Sequence, residues 1–118
     1  YPTPGPVNNW STPTWLSLGT RLDQQTISLA PQLATSSDGE IYALVTVQNT
    51  STDAVVYQWH DAQWAPLGDV LDNVVANAAE PGGIMITSDV QPVVTWSERS
   101  PSGALWRSFA KKWNGTTW

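Results

Sequence analysis

Tryptophan recurs in this chain as a fixed phrase. The pattern Trp-x-x-x-x-Trp occurs three times, at Trp10/Trp15, Trp59/Trp64 and Trp113/Trp118, and it takes six of the eight tryptophans. After the first two pairs the sequence continues alike. Trp15-Leu16-Ser17-Leu18-Gly19-x-x-Leu22-Asp23 matches Trp64-Ala65-Pro66-Leu67-Gly68-x-x-Leu71-Asp72. Further along, Ala30-Pro31 answers Glu80-Pro81, and Ser37-Asp38-Gly39 answers Ser88-Asp89-Val90. The period is 49 residues from Trp15 to Trp64 and 54 from Trp64 to Trp118, where Ser100-Pro101-Ser102-Gly103 lengthens the second copy. Repetition on this scale means one supersecondary unit used more than once, each copy burying its apolar side on a neighbour. The chain then divides into a Pro-rich extension (1–14), a first unit (15–63) and a second unit (64–118).

Inside each unit the short-range signals are those of strands. Gln32 to Thr35 ends at the turn Ser37-Asp38-Gly39, and Ile41 to Gln48 is rich in β-branched and aromatic residues. A turn over Asn49 to Asp53 leads into Ala54 to Trp59, and His60-Asp61-Ala62-Gln63 turns the chain into Trp64 to Leu67. The second unit repeats this with Ile84 to Thr87, Pro92 to Glu98 and Leu105 to Trp113, followed by the hairpin signal Asn114-Gly115. Leu71 to Ala79 reads as a loop or irregular strand, and no stretch carries a capped 3.6-residue apolar period. The expected fold class is all-β, with four short strands per unit.

Four strands per unit of this length is the pattern of a propeller blade. The chain resembles bacterial β-propeller repeats of the form Trp-x-x-Leu-Gly…Pro-Val-Val-x-Trp-Ser-Glu…Lys-x-Trp-Asn-Gly-Thr-x-Trp. The match is clearest at Gln91-Pro92-Val93-Val94-Thr95-Trp96-Ser97-Glu98 and at Lys111-Lys112-Trp113-Asn114-Gly115-Thr116-Thr117-Trp118. It covers about residues 15–118. The resemblance implies two propeller-like blades, and a ring needs about four to eight of them. Completion by other chains is the expectation, with copies of the chain itself as partners. Trp10, Trp15, Leu16 and Leu18 would form a donor strand, and Trp113 and Trp118 would mark the receiving blade of another copy. Head-to-tail exchange of this kind gives a ring if the rotation closes and a filament if it does not. A segment of a longer propeller is the alternative, and the opening at Tyr1 fits either a processed precursor or such a segment.

Composition limits the chemistry. With five Lys and Arg and a net charge of −5, the chain cannot neutralise a phosphate track, so nucleic acid is not an expected partner. No apolar run reaches the length of a membrane-spanning helix, and membrane insertion is not expected. Cysteine is absent and histidine occurs once, as His60 in a turn beside Asp61. Neither a metal site, a cofactor loop nor a nucleophile–base pair can be assembled, and the chain reads as non-catalytic. Charged residues make up only 13% of it. That scarcity, with the extended opening Tyr1-Pro2-Thr3-Pro4-Gly5-Pro6, suggests a structural or adhesive module placed outside the cell or on its surface.

The layout is also similar to small two-blade lectins that assemble into propeller rings. That resemblance implies a glycan held over an aromatic face, with an arginine and a carboxylate on its hydroxyls. Trp96, Glu98, Trp106 and Arg107 would supply the set in the second unit, while the first carries Val45, Val47, Val55 and Val56 on comparable strands.

Overall fold

Strands form where β-branched and aromatic residues run together, and they break at Gly, Asp and Asn. The computed structural model describes residues 14, 15, 17, 18, 30–48, 51–74 and 76–118. Strands β1 (Gln32–Thr35), β2 (Ile41–Gln48), β3 (Thr52–His60) and β4 (Gln63–Pro66) make one antiparallel sheet in the order β1-β2-β3-β4. Strands β5 (Ala78–Ile86), β6 (Pro92–Arg99) and β7 (Trp106–Lys112) make a second, in the order β5-β6-β7. Among the described residues there is no helix.

The two sheets repeat one another in detail. In the β1–β2 turn the Ser36 N–H donates to the Glu40 carbonyl at 2.9 Å, and Gly39 N–H to the Ser36 carbonyl at 3.0 Å. In the β5–β6 turn Thr87 N–H donates to the Gln91 carbonyl at 3.0 Å, and Val90 N–H to the Thr87 carbonyl at 2.9 Å. The hydroxyls of Ser36 and Thr87 each donate to the carboxylate two residues on, Asp38 and Asp89. The registers carry the correspondence across each sheet. Leu44 lies opposite Val56 in the first, and Thr95 lies opposite Ala110 in the second.

Alternation along the strands then decides what is buried. Tyr42, Leu44, Ala54 and Val56 line the side of the first sheet that meets the second, where Ala79, Val94, Trp96 and Leu71 complete the core. Ile84, Ile86 and Phe109 pack around it. On the far side of the first sheet Ala43, Val45, Val47, Val55 and Tyr57 are buried too, with Trp64 against them. Strand β2 is therefore buried on both faces from Tyr42 to Val47. Strand β6 instead alternates buried and more open positions, so the second sheet has one open face.

Two expectations change. The first strand of the second unit begins at Ala78, not near Ile84, because a bulge between Pro81 and Gly83 lets Pro81 sit within a paired strand. The second sheet also has three strands where four were expected: among the described residues no strand pairs with the outer edge of β7.

Candidate functional site

The repeated Trp phrase marks a latch between successive copies of the phrase along the chain. Trp113 and Trp118 stand on either side of the Asn114-Gly115 hairpin and meet edge to face, with ring centroids 5.4 Å apart. The Trp118 Nε1–H donates to the Leu67 carbonyl, just past the end of β4, at 2.8 Å. Gly68 follows, with φ +75°, and a Cβ there would lie 2.7 Å from the Trp113 ring. Leu-Gly is thus the seat, and the next Trp pair along the chain closes on it. The same latch occurs one unit earlier. Trp59 and Trp64 pack edge to face at 5.3 Å, and Trp64 Nε1–H donates to the Leu18 carbonyl at 3.0 Å.

The rest of the motif covers the outer edge of β3 beyond β4. Leu67 N–H donates to the Val56 carbonyl and Leu71 N–H to the Ala54 carbonyl, both at 2.8 Å. The Leu71 side chain is fully buried in the core. Asp72 Oδ1 accepts from Ala54 N–H at 2.8 Å, while its Oδ2 is buried without a hydrogen-bond donor. Burial, with Asp53 and Glu98 nearby, pushes the Asp72 carboxyl up to about 7, against the lowering effect of the Ala54 bond.

Glu98 holds the end of this linker. Its carboxylate accepts from Asn73 N–H at 2.6 Å, Val74 N–H at 3.1 Å and Trp96 Nε1–H at 2.8 Å, with Asn77 Nδ2 at 3.5 Å. A buried carboxylate with several donors is a structural anchor. This bears on the expected glycan set. Trp96 and Glu98 are each 1% exposed, with Trp96 stacked on Phe109, so neither presents a face to a sugar. Trp106 and Arg107 are exposed on β7, and Trp106 lies under Arg99, 5.6 Å from its ring centroid. The register sets Glu98 opposite Arg107 across β6 and β7, while burial divides the four residues between the core, with Trp96 and Glu98, and the surface, with Trp106 and Arg107.

Of the expected assembly residues, Trp10 and Leu16 lie outside the described residues. Trp15 is fully exposed, and Leu18 reaches Trp64 through its carbonyl. Trp113 and Trp118 are engaged on Leu67 and Gly68 of their own chain. His60 is exposed between Glu40 and Asp61, at 3.8 and 3.5 Å. Among the described residues no group of His, Asp and Glu is arranged to hold a metal ion.

Sequence reasoning found the Trp pairs but not their seat. The signal was present in the Leu-Gly that follows each of the first two pairs, yet its meaning depends on contacts between residues 46 and 51 positions apart. Compared with protein-family models, with curated proteins and with solved structures, the chain matches none.

Proposed function

We propose that this chain is a non-catalytic structural or adhesive module of propeller-blade-like units, acting outside the cell, that joins copies of itself head to tail by strand exchange. The observation that carries the reading is the repeated latch. Leu18 meets Trp64 as Leu67 meets Trp118. Leu18 therefore stands toward the first sheet as Leu67 stands toward the second. The second sheet of another copy offers its β7 edge, which has no strand along it among the described residues. Residues 15–23 carry the phrase that covers β3 within the chain, which suits them to cover β7 of a neighbour. Whether a filament or a ring results depends on whether the successive rotations close.

Electron microscopy and light scattering of the full chain, beside a variant lacking residues 1–19, test this directly. Oligomers formed by the full chain and lost on truncation are the expected result. A truncated protein that assembles normally removes strand donation from the account.

A further inference from the structure

Three features of the fold invite a role: the cleft of about 200 Å³ between Asp69, Lys111 and Trp118, the buried Asp72–Glu98 cluster, and the open face of the second sheet. The internal repeat assigns the third. Matching the turns at Ser36 and Thr87 and following the registers, Tyr42, Leu44 and Thr46 of β2 correspond to Val93, Thr95 and Ser97 of β6. By the same registers Ala54 and Val56 of β3 correspond to Ser108 and Ala110 of β7, and Ala34 of β1 to Met85 of β5. The first-sheet residues of β2 and β3 at these places are buried, most of them in the core between the two sheets. Their counterparts form the open face.

We propose that the open face of the second sheet is the seat for the first sheet of another copy, docked as the second sheet docks on the first within one chain. The proposal rests on the self-assembly reading and names the surface that this assembly would use besides the β7 edge. The face suits the task. Its centre is uncharged, with Ser97 and Ser108 hydrogen-bonded to each other at 3.0 Å. Lys112 is held aside by Asp89 at 2.8 Å, and Arg99 lies over Trp106. Met85 is 60% exposed beside a shallow apolar hollow of about 260 Å³ formed with Gly83, Val93 and Thr95.

The complementary surface is the far side of the first sheet, with Ala43, Val45, Val47, Val55 and Tyr57. These correspond to positions such as Val94, Trp96 and Phe109, which the second sheet turns toward the first. They are buried within a single chain, so docking through this face requires that it first be uncovered. The seat also differs from its counterpart inside the chain. Thr95 replaces Leu44, Val93 replaces Tyr42 and Ser108 replaces Ala54, giving a smaller apolar contact. Copies therefore separate under conditions that leave the two sheets of one chain together.

Met85→Arg and Thr95→Arg test the seat in the full chain, because each places a charge in the contact without touching the core. Sedimentation against concentration should show self-association weakened at least about a hundredfold, with the tryptophan emission of the monomer unchanged. Each variant keeps its own first sheet, so a small fraction mixed into the parent chain should cap growth and shorten the oligomers. Association as tight as the parent's in both variants overturns the proposal. If truncation of residues 1–19 abolishes assembly while these variants do not, strand donation stands and this face plays no part. The reverse result keeps the face and removes strand donation.

Discussion

Gly39 and Val90 occupy equivalent turns, and both have positive φ, at 92° and 63°. Glycine adopts this conformation freely, whereas a β-branched residue is strained there by roughly 1–2 kcal/mol. The second turn retains its form because Thr87 and Gln91 hydrogen-bond across it. Gly68 is constrained more tightly, by both its φ of +75° and the Trp113 ring 2.7 Å from any added Cβ. A change to Ala gives the second hairpin nowhere to sit unless the Trp pair shifts. Gly68→Ala should lower stability by about 2–3 kcal/mol. Its native tryptophan emission should also move to the red as Trp113 and Trp118 gain water. Unchanged emission with unchanged denaturation would mean that the Leu-Gly seat does not hold the latch.

Strand positions were legible because each is a local run. Ile41 to Gln48 became β2 as read, and Ile84 and Pro92 fell in paired strands. The placement of Leu67, Leu71, Asn73 and Val74 was not legible, because it comes from distant partners: Val56, Ala54 and Glu98. Glu98 looked like a surface carboxylate beside a Trp for the same reason. A strand end in Trp-Ser-Glu does not reveal that a loop some two dozen residues earlier will fold onto it. The linker's other acid gives a pH signature. Asp72 holds its proton up to about 7 in the folded chain, against 3.8 when unperturbed. Between those values the folded state binds the proton more tightly than the unfolded one. Stability therefore falls as pH rises from about 4 through about 7, and this contribution is level above that range. Asp38 and Asp89 act oppositely, since their hydrogen bonds hold them below the usual range and that benefit is lost in acid. Asp72→Asn keeps an oxygen for the Ala54 N–H and supplies a neutral group to the orphan position. Denaturant midpoints at about pH 5 and about pH 8 should differ in the parent chain and converge in Asp72→Asn. An equal difference in both proteins would place the titration elsewhere.

At the scale of the molecule, one core serves two sheets. Tyr42, Leu44, Ala54 and Val56 come from the first, Ala79, Val94 and Trp96 from the second, and Leu71 from the linker between them. Neither sheet can keep this surface dry alone, since a sheet with one uncovered apolar face is marginal in water. Repetition in the sequence thus corresponds to dependence in the fold, and the units should unfold together. Trp96→Ala tests this from one side of the joint. It removes a fully buried ring from the second sheet and should cost about 3–5 kcal/mol. Its local consequence is the loss of the Phe109 stack and of one donor to Glu98. The decisive readout lies in the other sheet. If the core is shared, amide exchange along β2 and β3 should speed up by the same free energy as exchange along β6, because all these bonds open in one global event. If β2 keeps its protection while β6 loses it, the first sheet is stable by itself, and its far-side cluster around Val45 and Tyr57 would be the part of the core that holds it.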